Sequence, residues 1–212
     1  MIGINKTIRT LIFSDLLLYS GWGLIGPTFA IFLTQQIRGG NLTTVGFAAA
    51  VFWLIKSILQ PFIAHHFDIK KGEEDDFNAL VRGFYVANLI PLGYFFSSQI
   101  WHIFLLEFIR GIAMAYVVPS WMAIFTRHIN KGWEAFSWSV HSTAIGFSIG
   151  LAAAFGGIIA TFLGFKIVFI LITGFGLIST TLLFLIKKDL LPSDRFAVKI
   201  QPKEPLSKEP LL

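Results

Sequence analysis

Ala135–Phe165, AFSWSVHSTAIGFSIGLAAAFGGIIATFLGF, runs without one Asp, Glu, Lys or Arg. A helix needs about 20 apolar residues to cross a hydrocarbon layer roughly 30 Å thick. This stretch meets that length and leaves room for a short loop. Leu16–Ile37, Gly83–Leu106 and Ile167–Ile186 are equally free of those charges. One such run would fit a helix buried in a soluble core. Several of them in 212 residues leave too little polar sequence to clothe a soluble fold. The bulk values agree: charged residues are 14% and hydrophobic residues 55%, with mean hydropathy +0.71, whereas soluble domains are about a quarter charged. The expected class is an all-α membrane protein, with the lipid bilayer as its first partner.

The runs divide into six expected spans, at about 10–36, 44–66, 79–98, 101–126, 139–163 and 167–187. Polar breaks separate them, at Gly39-Gly40-Asn41, Asp68 to Asn78, Ser97-Ser98-Gln99, Arg127 to Glu134 and Gly164-Phe165-Lys166. Lys6 and Arg9 followed by an apolar run resemble a signal peptide. The run is far longer than a signal's apolar core of about 7–15 residues, and reads instead as an uncleaved first span. Basic residues fix the orientation, because they concentrate in cytoplasmic loops. Lys6, Arg9, Lys70, Lys71, Arg82, Arg127, Lys131, Lys187 and Lys188 fall on one side, and only Arg38 and Lys166 on the other. Both termini are therefore expected in the cytoplasm, with the protein in the cell membrane. Residues 191–212, rich in Pro, Lys and Glu and without periodicity, are expected to be a disordered cytoplasmic tail or a linker. The domain proper is expected to be 1–190.

The first and fourth spans echo one another. Asp15 precedes Pro27 by the same interval as Glu107 precedes Pro119, and each proline leads into a similar Ala, Ile and Phe run. Gly46-Phe47-Ala48-Ala49-Ala50 and Gly150-Leu151-Ala152-Ala153-Ala154 repeat the pattern in spans two and five. Spans one and four enter from opposite faces, so the echo points to a 3+3 inverted repeat, a device of transporter folds.

Four ionisable residues sit at membrane depth: Asp15, Lys56, Glu107 and Arg110. Each costs about 2.5–3.5 kcal/mol at a helix centre on insertion scales, and is kept where it meets a partner or water. An Asp15–Lys56 pair between consecutive spans is expected. Glu107 and Arg110, three apart, share a helix face. These pairs either neutralise each other or line a polar route. His141, Ser142, Asn88 and Gln60 are further polar residues within spans. Trp22, Trp53, Trp121 and Tyr19 fit packing or stacking on a ligand.

Enzyme chemistry finds no footing in this composition. Cysteine is absent, which removes thiolate nucleophiles and cysteine metal sites. Gly146-Phe147-Ser148-Ile149-Gly150 fits G-x-S-x-G, but that motif needs a strand–turn–helix setting. Gly146, Gly150, Gly156 and Gly157 read better as a face for close helix packing. His65, His66 and Asp68 lack the further ligands a metal needs. No metal, cofactor or nucleic-acid partner is expected. Glu73-Glu74-Asp75-Asp76 suits the N-terminus of the third span's helix.

Six spans with both ends inside, a charged second loop and a 3+3 echo resemble the N-terminal half of a major facilitator superfamily transporter, over residues 1 to about 190. Three family motifs have counterparts. In the loop after span two, Ala64-His65-His66-Phe67-Asp68-Ile69-Lys70-Lys71-Gly72 keeps the aspartate and the basic pair. The resemblance gives Asp68, Lys70 and Lys71 a gating role. Arg110-Gly111-Ile112-Ala113-Met114-Ala115, with Pro119 beyond, matches the fourth-span motif and implies a coupling role for Arg110. Gly146, Gly150 and Gly156-Gly157 keep the spaced glycines of the fifth-span motif, with Ala152-Ala153 in place of its Gly-Pro step.

The resemblance implies a half-size secondary transporter moving a small molecule or ion by alternating access. Asp15, Lys56, Glu107, Arg110 and His141 are its candidate cavity lining. The family has twelve spans, so a homodimer or a complementary six-helix half is expected. The alternatives are a non-transporting membrane scaffold and an inactive fragment of a twelve-span transporter.

Overall fold

The computed structural model describes residues 4–70 and 72–190; residues 1–3, Lys71 and the segment 191–212 lie outside them. Every long element is a helix: α1 (Lys6–Gly23), α2 (Phe29–Gln36), α3 (Leu42–Lys70), α4 (Glu73–Phe96), α5 (Ile100–His128), α6 (Glu134–Leu163) and α7 (Phe165–Leu182). A 3-10 turn over Leu183–Ile186 carries α7 into a last short helix, α8 (Lys187–Leu190). Five of these helices, the stretch from α7 to Leu190 counted as one, are long and apolar enough to cross a membrane.

The helices run past the apolar spans at several ends, because the polar flanks have helix-compatible chemistry of their own. Asn5 caps α1 by accepting the Ile8 amide at 2.9 Å. Four acids occupy the first turn of α4, where carboxylates offset the partial positive charge of free N–H groups. A single residue, Gly164 at φ +81°, joins α6 to α7. That left-handed conformation costs a side chain dearly and glycine little.

The first expected span, 10–36, is not one helix. α1 stops at Gly23, and a 3-10 turn over Gly26–Thr28 intervenes before α2. Proline lacks an N–H, and its ring collides with the carbonyl four residues back; four before Pro27 is Gly23. Pro61, Pro91 and Pro119 sit inside unbroken helices. Around Pro27, however, Gly21, Gly23 and Gly26 add low helix propensity to the missing donor. The break has a partner. A Cβ on Gly156 of α6 would overlap the Leu24 carbonyl, so this glycine lets α6 lie directly against the turn.

Packing follows two centres. α1 lies against α6 and α7, α5 lies against α3 and α4, and α4 packs on α7 to join them. Two apolar clusters fill the bundle, one around Ile8, Phe77, Phe84, Ile124 and Phe125, the other around Leu33, Tyr94, Ile103, Phe169 and Ile172. Between them runs a buried polar seam. Ser14 and Ser179 hydroxyls are 2.9 Å apart, and each also donates to the other's carbonyl. Asn88, fully buried, donates to the Gly176 carbonyl at 3.0 Å and to Thr180 Oγ1 at 3.1 Å. Such interhelical bonds tie α1, α4 and α7 where hydrophobicity gives no preference between helix and lipid.

Candidate functional site

Two buried polar clusters stand out. The first joins α1 to α6. Asp15, only 5% exposed, meets His141 with Oδ2 and Nε2 2.7 Å apart. Aromatic rings enclose the imidazole: Trp121 at 4.6 Å between centroids, Phe125 at 5.4 Å and Trp138 at 5.9 Å. Asp15 and His141 open onto a cavity of about 100 Å³, whose lining includes Tyr19, Met114, Trp121 and Met122. The Trp121 indole N–H is buried without a protein partner. Chemically, a carboxylate against an imidazole is a place where one proton can be shared or exchanged.

The expected Asp15–Lys56 pair does not form. α3, which carries Lys56, packs along α5 rather than on α1, so the first two expected spans are not neighbours at that depth. Lys56 Nζ stands instead 4.6 Å over the Trp53 ring of its own helix.

The second cluster centres on Glu107, 1% exposed. Tyr94 donates its hydroxyl to Oε1 at 2.6 Å. Arg110 reaches Oε2 with Nε at 2.9 Å and Nη2 at 2.6 Å. The spacing of three places both on one helix face, as the sequence reading expects. The guanidinium also stacks 3.9 Å from the Phe52 ring and 4.8 Å from the Trp22 ring, and its side chain is 19% exposed. Arg110 thus touches α1, α3 and α5 together. A permanent cation held by two π faces and one carboxylate is stabilised in each direction except the open one.

Of the candidate residues of the loop region, Asp68 is exposed on the last turns of α3, Lys70 ends that helix, and Lys71 falls outside the described residues. Among the described side chains, Arg127 makes ionic contact at that end of the bundle. Arg127 reaches Glu73 at 3.3 Å and also Asp76, closing the end of α5 onto the start of α4. Among the glycines, Gly156 packs against Leu24, while Gly146, Gly150 and Gly157 would meet nothing within 4 Å of an added Cβ. Their packing role is therefore not exercised within this chain. Among the described residues no cluster of His, Asp or Glu could hold a metal ion.

Sequence reasoning missed one member, Tyr94, which reads as one more aromatic of an apolar span; His141 is among its candidate lining residues, but the pairing with Asp15 is not foreseen there. The signal available for Tyr94 was its hydroxyl, since a buried phenol seeks an acceptor.

No curated protein matches this chain closely enough to lend it a substrate. The family model for the Major Facilitator Superfamily matches residues 11–211. This reaches across nearly the whole sequence, including the helix that carries Arg110. A chain whose described residues form five membrane-length helices and that carries this match is a multi-pass membrane protein, and it belongs to the Major Facilitator Superfamily, a family of transporters.

Proposed function

We propose that this chain is a six-span half of a secondary transporter, moving a small molecule or ion by alternating access. It works as a homodimer or with a complementary six-helix half, in the cell membrane with both termini cytoplasmic. α1, the Pro27 turn and α2 together supply the sixth crossing, because the charge-free run Leu16–Ile37 continues through the turn. The packing favours a 3+3 inverted repeat. α5 lies between the second and third helical segments of the first triplet, and α1 between the corresponding α6 and α7 of the second.

The observation that carries the reading is the coincidence of buried charge with unfinished surface. Asp15–His141 and Glu107–Arg110 gather on α1, α5 and α6. Alongside, α3 and α6 leave broad apolar faces open: Trp53, Leu54 and Ile58 are 56%, 60% and 58% exposed, and Phe147, Leu151 and Phe155 are 69%, 58% and 58% exposed. A second half seated on these faces would wall the charged region off from lipid and leave a wet passage between halves. Asp68, exposed at the end of α3, would on this reading latch onto that second half together with Lys70 and Lys71.

The chain has no native cysteine, which makes a cross-linking test clean. Copies carrying Leu54→Cys and copies carrying Leu151→Cys, co-expressed and treated in native membranes with a short bifunctional maleimide, are expected to yield a product of twice the chain mass. A complementary half would yield a different, larger-than-monomer mass. Monomer alone at both positions contradicts the reading. One observation favours a second reading, a non-transporting scaffold: both Glu107 oxygens are engaged within the chain. Water access to the face beside Asp15 separates the two.

A further inference from the structure

α3 and α4 each pack along α5 but scarcely touch one another. Between them, over the floor of α5, lies a groove of about 540 Å³. Its floor descends from Tyr116 through Ile112 to Ile109, away from the end of the bundle that holds Glu73 and Arg127. Ile112 is two residues from Arg110, hence about 200° around the helix. The groove accordingly opens on the flank of α5 away from the charged clusters, and no residue of α1, α6 or α7 lines it. In a membrane protein that flank meets lipid.

One wall is not apolar. Asp75, Asn78 and Arg82 line it from a single face of α4. Arg82 is exposed and makes no ion pair or hydrogen bond among the described residues. It sits two turns, roughly 10 Å, deeper than Asp75. Arg82 lies within about one turn of the start of the expected third span, at the polar edge of the bilayer, where an exposed guanidinium without a counter-charge attracts anionic lipid headgroups. The Asp75 carboxylate at the outer end repels an anion there and so favours one seated inward, at Arg82.

We propose that this groove binds a membrane phospholipid, its phosphate on Arg82 and one acyl chain along Tyr116, Ile112 and Ile109. Charge complementarity selects the headgroup, since guanidinium pairs with phosphate oxygens in a planar fork. The apolar floor selects a lipid over a free anion.

Native mass spectrometry of the full chain in detergent tests this, with dioleoylphosphatidylglycerol, dioleoylglycerol and inorganic phosphate as separate probes. One phosphatidylglycerol is expected to remain bound to the wild-type chain. Arg82→Gln should weaken its retention about fivefold, the worth of one basic residue near a membrane surface, and Arg82→Lys should recover most of it. Ile112→Trp, which fills the floor while leaving Arg82 in place, should also weaken retention. Dioleoylglycerol, with the same chains and no phosphate, should bind the wild type no better than phosphatidylglycerol binds Arg82→Gln. Equal retention of phosphatidylglycerol by Arg82→Gln overturns the proposal, as does unchanged retention by Ile112→Trp. Displacement of the lipid by millimolar inorganic phosphate overturns it in favour of a free-anion site.

Discussion

Arg110→Ala is expected to be among the most destabilising single changes in this chain, costing about 3–5 kcal/mol, as removal of one partner from a buried ion pair does. The stranded group is Glu107, 1% exposed and left with only the Tyr94 hydroxyl. The companion variant separates stability from function. Glu107→Gln combined with Arg110→Leu removes both charges, and should unfold at a higher temperature in detergent than Arg110→Ala alone. Transport should be lost in both, because on the proposed reading the guanidinium itself meets the passage. Thermal unfolding of the three proteins in one detergent reads the first half of this expectation. Solute flux in proteoliposomes, once a substrate is in hand, reads the second. Full transport by Arg110→Ala rules out its role.

A comparable effect with a built-in asymmetry is expected at the first cluster. His141→Ala leaves the Asp15 carboxylate buried and without its partner at 2.7 Å. Asp15→Ala leaves the imidazole among the rings of Trp121, Phe125 and Trp138, which pack on it with or without the carboxylate. A carboxylate has no such apolar contact to fall back on, and burying one without a partner is costly. His141→Ala should therefore be the less stable of the two, by about 1–3 kcal/mol, the penalty for an unsatisfied buried acceptor. Unfolding temperatures measured side by side check the order. Equal losses would mean that the pair is held by packing of Trp121 and Trp138 around the ring rather than by charge. Asp15→Asn, which can keep a hydrogen bond, should preserve most stability while suppressing coupled flux.

How far the sequence reaches is visible residue by residue. Apolar runs and the polar breaks between them mark the helices because the bilayer leaves a chain few other options, and α3 to α7 follow the second to sixth expected spans. The Glu107–Arg110 contact is local, three residues on one helix, so spacing alone indicates it. Asp15–His141 spans 126 positions, and no periodicity tells which helix will lie against α1. The expectation of Lys56 rested on consecutive spans being neighbours. In this bundle α1 takes α6 and α7 instead, and α5 takes α3. Pro27 enters the sequence reading only through the echo, and the break there is not foreseen; Pro61, Pro91 and Pro119 are tolerated inside helices, and the glycines near Pro27 make the difference, acting together rather than singly. The glycine series of α6 was read as one face, whereas Gly156 lies about 240° around from Gly150. Only Gly156 meets a neighbour at close range. The family match shows membership over residues 11–211, and says nothing of which residues act or of what is moved.

The central claim is that the face beside Asp15 and His141 is wet in the working protein. Met122 lines that cavity and is 47% exposed. Met122→Cys would be the sole thiol in the chain. In sealed vesicles of known orientation, a membrane-impermeant charged thiosulfonate should modify it from an aqueous side. Substrate or inhibitor should change which side succeeds. A thiol that resists the charged reagent from both sides, yet reacts with a lipid-soluble maleimide, would mean that bilayer covers this face and that no solute passes there.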